Sequence, residues 1–409
     1  MDSEPQLAFM VLLVGFTVLV AILVKSALER GGVSPILGWL VLGMGLKVLG
    51  VQGDFLSPPV LEIFSFLARV GVFCLLFRIG LESDLPGLLK QLRPASMIWL
   101  GDVTVSGFLG FAAGYWVLGL SLIPSLFVAS ALTATSVGIS LGIWHEAGAV
   151  ESRNGRLLLD AAEMDDISGV VLMALLLSVA PVLQSGTGEG LPAFAVARTT
   201  AVFLAKGIGF GALCLLFSRY LEKPFTEFLQ EMESPPDPTI TVVAVGLIIS
   251  ALAGWMGFSI AIGAFFAGLI FSRDPRAVKM ETSFNTLYDF FSPFFFIGVG
   301  LSMDPEVLGG TTGAGAVLLA AAIAGKLLGA GGAAWAVGGK RTALLVGASM
   351  VPRAEIAMIV MQRGSELGDW AVPPRLFAAM VLVSAVTCLV VPLVLRSLLA
   401  RWPQEKEEG

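Results

Sequence analysis

Long apolar windows with almost no charge are the feature that most limits what this chain can fold into. Residues 7–25, for example, include a single charged side chain, Lys25. A hydrocarbon core about 30 Å thick requires roughly 20 apolar residues for each helical crossing. Because every backbone N–H and C=O must be paired inside lipid, helices are favoured for such segments. The sequence therefore predicts an all-α integral membrane protein.

Composition supports the membrane class and excludes others. Hydrophobic residues make up 56% of the chain and charged residues only 14%, against about 25% in soluble proteins. The net charge of -6 gives no indication of nucleic-acid binding. The three cysteines lie singly in apolar stretches without metal-type spacing, so neither a metal site nor a cofactor is predicted from them. The opening MDSEPQ lacks a basic region, which favours a retained first helix over a signal peptide.

The hydropathy pattern predicts thirteen transmembrane spans. Spans two and nine are short and broken by Gly or Pro, so the count could shift by one. The predicted spans are residues 7–25, 33–50, 60–81, 94–118, 122–143, 155–184, 192–218, 238–256, 259–272, 284–302, 314–339, 342–361 and 375–399.

Loop charge predicts the orientation. With the N-terminus outside, sixteen of the 25 Lys and Arg residues fall on the cytoplasmic side and four outside; the remaining five lie at membrane depth. Retention of positive charge on the cytoplasmic side produces such an asymmetry. We expect a multi-pass protein of the cell (inner) membrane with its C-terminus in the cytoplasm. The longest polar segment, 219–237, separates two groups of spans.

The sixth span carries four carboxylates in seven residues: Asp160, Glu163, Asp165 and Asp166. A charge inside the bilayer costs several kcal/mol, so such residues are functional candidates. Asp166 lies 11 residues past Gly155, roughly 16 Å along a helix and close to mid-bilayer. The Asp165–Asp166 pair is therefore predicted to bind a cation or protons.

Polar residues also occupy the fifth and twelfth spans. Thr135 and Ser136 lie in the middle of ALTATSVGIS, where they could bind a ligand or hydrogen-bond to their own helix. Pro352 must interrupt the helix in GASMVPRAEIAM, and Arg353 and Glu355 flank that break. Two membrane charges beside a proline need each other or another partner.

Lys326 lies at the centre of the eleventh span. It is too far from either end to reach water easily, so it needs a carboxylate partner or must lose its proton. The glycines around it permit a close helix approach. In the predicted topology the fifth and twelfth spans run in opposite directions, which suggests two inverted repeats whose broken helices cross at an ion site.

Several motifs together resemble the monovalent cation:proton antiporters with the NhaA fold, most closely the NapA-type sodium/proton antiporters. The resemblance covers residues 7 to about 400. Its motifs are FRIGLESDL (77–85), LTATSVGI (132–139), EMDDISG (163–169), IGAFFAG (262–268), FFFIGVGL (294–301), GKLLG (325–329) and MVPRAEIAMIV (350–360).

The resemblance implies roles for the site residues. Asp166 is expected to bind the cation, normally Na⁺ with Li⁺ or K⁺ as other possibilities, and protons compete for it and for Asp165. Lys326 is expected to pair with Asp165 and release it when sodium enters, while Thr135, Ser136 and Glu355 match positions at the helix crossing.

The resemblance also implies an architecture and a transport mode. Exchange would be electrogenic, by an elevator movement within a homodimer in the lipid bilayer. The dimerisation domain would comprise residues 7–81 and 238–302 and the core residues 94–184 and 314–400. Residues 192–218 would form a linker helix.

Some positions depart from the family pattern. Asp160 and Glu163 stand where small or apolar residues are usual, and Arg69, Arg78 and Ile260 also differ. Asp160, Glu163 and Asp166 share one helical face, which suggests an acidic funnel towards Asp166. Alternatively, Glu163 pairs with Arg353, another intramembrane charge.

Other functions remain open at this point. A Kef-type potassium/proton antiporter is the nearest alternative, although those proteins usually carry Gln-Asp in place of Asp165–Asp166. A channel or an organic solute carrier on the same fold is a further alternative. The sequence shows no nucleophile–base pair and no metal constellation, so we do not expect an enzyme.

Overall fold

The computed structural model describes residues 3–31, 33–53, 55–83, 92–186, 193–221, 224, 238–272, 277–303, 307 and 309–405. Most of the polar segment 219–237 lies outside the described residues, as do the last two residues of the FRIGLESDL motif. Several cations of the charge analysis also lie outside them: Lys90, Lys223, Arg273, Arg276 and Lys406.

The described residues form fifteen α-helices and no β-strand. In chain order they are α1 (Ser3–Arg30), α2 (Pro35–Gly53), α3 (Pro58–Glu82), α4 (Leu92–Ala112), α5 (Leu122–Thr133), α6 (Val137–Glu146), α7 (Arg153–Ser185), α8 (Ala193–Leu216), α9 (Pro238–Trp255), α10 (Ile260–Phe271), α11 (Ala277–Ser302), α12 (Thr312–Leu328), α13 (Ala330–Ser349), α14 (Glu355–Leu367) and α15 (Pro374–Arg401). A π-helical turn follows α4 and another follows α8.

The predicted fold class is confirmed. Each of the thirteen predicted spans coincides with a helix or with a pair of half-helices, and nine described helical segments are long and apolar enough to cross a bilayer. The fifth span is the pair α5 and α6. The eleventh and twelfth spans divide inside α13 at Gly339, whose φ of +79° breaks the helix. The twelfth span therefore consists of the second half of α13 followed by α14.

The chain forms two compact units, each built from two separate stretches of sequence. The first unit comprises Met1–Ser83 with Phe210–Pro305, and the second comprises Asp84–Gly209 with Glu306–Gly409. Helix α8 begins in the second unit and ends in the first. The assignment of dimerisation and translocation roles to the two groups of spans stays a prediction.

Within the first unit, glycines bring helices into backbone contact. A Cβ atom on Gly80 of α3 would lie 2.1 Å from the Phe265 carbonyl oxygen, and one on Gly268 of α10 would lie 2.1 Å from the Phe77 carbonyl oxygen. Both glycines belong to motifs singled out in the sequence. Only residues without a side chain let helices approach this closely.

Arg78, whose role the sequence left open, contacts Glu82 and Tyr288 in the first unit. Its Nε lies 2.5 Å from Glu82 Oε1, one helical turn away, and its guanidinium lies 4.4 Å from the centre of the Tyr288 ring. The side chain therefore combines an ion pair with a cation–π contact.

In the second unit, glycines of the GKLLG motif place α12 directly against α4. A Cβ atom on Gly325 would lie 2.9 Å from the Ser106 Cα, and one on Gly329 would lie 2.7 Å from the Gly101 carbonyl oxygen. Lys326 lies between these two glycines and is fully buried. The close approach puts its side chain within reach of polar groups on α4.

Candidate functional site

Two breaks in helices meet in the second unit. Helix α5 ends at Thr133 and α6 begins at Val137, while α13 ends at Ser349 and α14 begins at Glu355. The Ser136 backbone N–H donates to the Pro352 carbonyl oxygen at 2.9 Å, which joins the two breaks. Helix ends carry backbone groups with no partner inside the helix, so the crossing supplies both donors and acceptors to a buried site.

Helix α15 satisfies the backbone at the second break. The Arg353 backbone N–H donates to Thr387 Oγ1 at 3.1 Å, and the Ser384 hydroxyl donates to the Arg353 carbonyl oxygen. Cys388 Sγ also donates to that oxygen, at 3.3 Å. A non-helical segment at membrane depth is tolerated where neighbouring helices pair its backbone in this way.

The Lys326 ammonium lies at the first break, within hydrogen-bonding distance of four oxygens that share its three N–H donors. These are the Thr133 carbonyl oxygen at 2.6 Å, Thr135 Oγ1 at 2.7 Å, Asp165 Oδ2 at 2.9 Å and Asp102 Oδ2. Lys326, Asp102 and Asp165 are all fully buried. The lysine is thus placed beside Asp165, as the resemblance implied, and beside a second carboxylate as well.

Asp102 is the site residue that the sequence reasoning missed. It is the sole acid in α4, and the Ser106 hydroxyl holds its other oxygen at 2.9 Å. The rule that singled out the carboxylates of the sixth span applies equally to a lone aspartate in a hydrophobic span. The signal was present, but nothing in the sequence indicated that α4 packs against Lys326.

Asp165 is held on one side only. The Thr135 hydroxyl donates to its Oδ2 at 2.5 Å, and the same oxygen accepts from Lys326. Its Oδ1 is buried and has no hydrogen-bond partner among the described residues. A buried carboxylate oxygen without a hydrogen-bond partner destabilises the folded state unless a ligand or a water molecule binds to it.

Arg353 is a second fully buried cation. Its Nη1 donates to the Met350 carbonyl oxygen at 3.0 Å, whereas Nε and Nη2 have no hydrogen-bond partner within the described part of the chain. It interacts electrostatically with Asp102 and Asp165. When all are ionised, the two negative charges of Asp102 and Asp165 equal the two positive charges of Lys326 and Arg353. The pairing of Arg353 with Glu163 stays a prediction.

The remaining predicted residues lie at the two breaks and on α7. The Ser136 hydroxyl donates to Glu355 Oε2 at 2.7 Å, which links the two breaks through side chains. On α7, Asp160, Glu163 and Asp166 are half-buried while Asp165 is fully buried. This difference agrees with the predicted helical faces, on which the three acids point away from Asp165.

The cluster as a whole presents oxygen atoms of the kinds that suit a hard cation. Carboxylate, hydroxyl and carbonyl oxygens are the groups that hard cations prefer. Burial makes each charge sensitive to the loss of its partner, because an unpaired buried charge costs far more than a surface one. A bound cation and the Lys326 ammonium would therefore compete for the same carboxylates.

Comparison with known proteins identifies the family. Residues 15–401 match the family model described as sodium/hydrogen exchanger, transmembrane. The high-affinity Na⁺/H⁺ antiporter NhaS3 of Synechocystis sp. is 28% identical over 90% of this chain and 79% of that protein. A Na⁺/H⁺ antiporter of Enterococcus hirae is 29% identical over 93% of this chain and 95% of that protein.

The fold comparison agrees. The structure of the sodium proton antiporter MjNhaP1 from Methanocaldococcus jannaschii superposes with a TM-score of 0.68, covering 97% of each chain at 15% identity. That similarity shows a shared fold. The family match extends over both broken spans and over every residue of the buried cluster, so the chain belongs to the sodium/hydrogen exchanger family.

Proposed function

We propose that this protein is a secondary active sodium/proton antiporter whose cation site lies at the crossing of the two broken spans. The observation that supports this most is the buried Lys326 ammonium beside Asp165 and the freed Thr133 carbonyl. Such a constellation has no structural necessity in a membrane helix bundle, because an apolar cluster would be cheaper to bury. It suits a site at which one cation replaces another.

Cation and protons compete for the Asp165–Asp166 pair in this proposal. Asp166 is half-buried on α7 and takes the cation, with hydroxyl ligands from Thr135 and Ser136. Sodium binding drives the proton off Asp166 and breaks the Lys326–Asp165 pair. The freed ammonium then loses its own proton, because a buried cation without a partner is strongly disfavoured.

This count gives two protons for each sodium ion, so exchange is electrogenic. The return step of the cycle uses the same residues. Protons rebind Asp166 and Lys326, and the Lys326–Asp165 pair forms again. Arg353 and Glu355 remain in place at the second break, where they balance the partial charges of the helix ends.

Alternating access is proposed to occur by an elevator movement. The core containing residues 94–184 and 314–400 moves against the domain of residues 7–81 and 238–302, which also forms a homodimer interface. The exposed apolar side chains along α1 are in keeping with burial in lipid or against a second copy. We place the protein in the inner membrane with its N-terminus outside, from the distribution of Lys and Arg.

The proposal is tested with purified protein in proteoliposomes that contain a pH-sensitive dye. We expect an imposed Na⁺ gradient to drive proton movement, while choline at the same ionic strength does not. Parallel Li⁺ and K⁺ gradients determine selectivity and test the Kef-type alternative. Proton movement indifferent to all three cations would overturn the proposal, and flux of cations without protons would indicate a channel.

Lys326→Gln tests the charge count in the same vesicles. A membrane potential imposed with valinomycin and K⁺ should alter the rate of Na⁺-driven proton movement in the wild type. The variant lacks the second proton carrier, so its surviving exchange should be insensitive to the potential. Equal potential dependence in both proteins would contradict the role of Lys326.

A further inference from the structure

The four oxygens around the Lys326 ammonium form a cage drawn from three elements. Asp102 comes from α4, the Thr133 carbonyl and the Thr135 hydroxyl from the break after α5, and Asp165 from α7. Lys326 Nζ lies 2.6 Å from the Thr133 carbonyl oxygen, 2.7 Å from Thr135 Oγ1 and 2.9 Å from Asp165 Oδ2, and Asp102 Oδ2 also lies within its hydrogen-bonding distance. The ammonium therefore stands where a metal cation would find an oxygen shell.

The cage has the composition of a hard-cation site. Two carboxylates, a hydroxyl and a carbonyl are the ligands that such cations take, and calcium, which is close to sodium in size, binds oxygens at about 2.3–2.6 Å. Small inward movements would bring these oxygens to that range. The Thr133 carbonyl is available because the helix ends there, which leaves it without a helical partner.

Asp165 Oδ1 is the second indication that the cage accepts a ligand. This atom is buried and unpartnered among the described residues, although the other oxygen of the same carboxylate has two partners. Rotation of the carboxylate, or bidentate binding, would give an entering cation both oxygens. The present occupant, Lys326, uses only one of them.

We propose that Asp102 is a direct ligand of the transported cation, and that the cage of Asp102, Thr133, Thr135 and Asp165 that now holds the Lys326 ammonium forms, together with Asp166, the site the sodium ion enters. This inference rests on the proposed sodium/proton exchange. It adds Asp102 and the Thr133 carbonyl to the residues assigned there. Sodium and the ammonium thus compete for the same four oxygens.

Neighbouring groups hold Asp102 in a geometry fit for binding. The Ser106 hydroxyl, one helical turn along α4, donates to its Oδ1 at 2.9 Å and leaves Oδ2 directed at the cage. Gly325 and Gly329 keep the α12 backbone against α4, so the carboxylate stays in place when the Lys326 side chain leaves. Oriented ligands of this kind raise the affinity of a metal site.

Sodium can replace the Lys326 ammonium without changing the net charge of the buried cluster, because both carry a single positive charge. When all four side chains are ionised, Asp102 and Asp165 carry two negative charges and Lys326 and Arg353 carry two positive ones, and all four are fully buried. A monovalent cation in the cage preserves this balance once the ammonium has gone. A divalent cation would leave an excess buried charge, so the cage favours monovalent ions.

The test uses the Lys326→Gln background, in which the competing ammonium is absent. Na⁺ binding to purified protein is measured by calorimetry and by thermal shift, with choline chloride as the ionic-strength control. Lys326→Gln should bind Na⁺ more tightly than the wild type. Adding Asp102→Asn should weaken that binding by about tenfold or more, because a direct ligand matters at least as much as the groups that orient ligands.

Asp369→Asn in the same background is the matched control, since it makes the same change at an exposed position and should leave Na⁺ binding unaltered. If Asp102 merely pairs with Lys326, then Asp102→Asn will not change Na⁺ affinity once the lysine has been replaced. That result, or an absence of Na⁺ binding in Lys326→Gln, would overturn the inference. Neither result bears on the proposed sodium/proton exchange, which is tested separately by Na⁺-driven proton movement of the wild-type protein in proteoliposomes.

Ser106→Ala provides a second variant that keeps Lys326 and both carboxylates. It removes the hydrogen bond that orients Asp102, so it should weaken Na⁺ binding several-fold in an otherwise wild-type protein. The effect should be on the apparent KM for sodium, with little change in the maximal rate. If Ser106→Ala leaves the KM unchanged, the inference that Asp102 binds the cation is contradicted.

Discussion

The acids of α7 differ in their surroundings although they lie within seven residues. Asp165 is fully buried against Lys326 and Thr135, whereas Asp160, Glu163 and Asp166 are half-buried. Three acids along one face create a negative potential that attracts cations and that salt weakens. We therefore retain the hypothesis that Asp160 and Glu163 form a funnel towards Asp166, and its alternative is an ion pair between Glu163 and Arg353.

The funnel hypothesis predicts that Asp160→Asn combined with Glu163→Gln weakens the apparent affinity for sodium. The loss should be several-fold at low ionic strength and smaller at high ionic strength, because salt screens the potential. Thermal stability should change little. Transport assays at two salt concentrations measure this, with Asp369→Asn as a control for the loss of an acid elsewhere.

The ion-pair alternative predicts a different pattern. Glu163→Gln alone should lower the melting temperature, and Arg353→Gln added to it should cause little further loss, since the two residues then act as one unit. Unaltered sodium affinity at low salt in the doubly neutralised protein would leave the funnel without support.

Residue chemistry explains why the site was predictable only in part. Asp165, Asp166, Lys326 and Arg353 stood out because a charge in an apolar span requires a reason. Asp102 obeys the same rule, yet its partner Lys326 is 224 residues away in the chain. Helix packing depends on small residues such as Gly325, which lies against Ser106 of α4. The sequence shows that the glycine is present, but it does not show which helix packs against it.

The sequence predicts where helices lie better than it predicts which helices contact each other. Each of the thirteen apolar windows coincides with a helix or a pair of helices, and nine described segments are long and apolar enough to cross a bilayer. Pro352 located the second break, since proline cannot continue the helical hydrogen bonds. The first break, after Thr133, contains no proline; polar residues made it a possibility, and the crossing contacts from Ser136 to Pro352 and Glu355 account for its position.

At the level of helices, Gly268 provides a test of the first unit. Gly268→Ala places a Cβ atom 2.1 Å from the Phe77 carbonyl oxygen, so α3 and α10 must separate. Overpacking of this kind costs about 1–3 kcal/mol. We expect a lower melting temperature for the purified protein in detergent.

Gly207→Ala is the matched control for this change. It lies within α8, and a Cβ atom there would meet nothing within 4 Å. Alanine favours helix over glycine by up to about 1 kcal/mol, so stability should stay equal or rise. A melting temperature lowered equally by both substitutions would contradict the backbone contact between α3 and α10.

At the scale of the whole molecule, we place the exchange site where the two broken spans cross. The chain belongs to the sodium/hydrogen exchanger family, and a hydrogen bond joins the two breaks. The proposal assigns the cation and the protons to the same carboxylates in turn. A transporter of this kind loses coupling altogether when the shared carboxylate is neutralised, since neither substrate then displaces the other. Losses elsewhere should change rates and affinities but leave exchange in place.

The most direct measurement of this claim is Na⁺-driven proton movement by Asp166→Asn in proteoliposomes. Asparagine keeps the shape of aspartate but neither holds a proton nor presents a charge to a cation. We predict that the variant folds, reconstitutes and shows no Na⁺-dependent proton flux, while Asp369→Asn transports at the wild-type rate. Retained Na⁺-dependent proton flux in the purified Asp166→Asn protein would contradict the assignment of the exchange site.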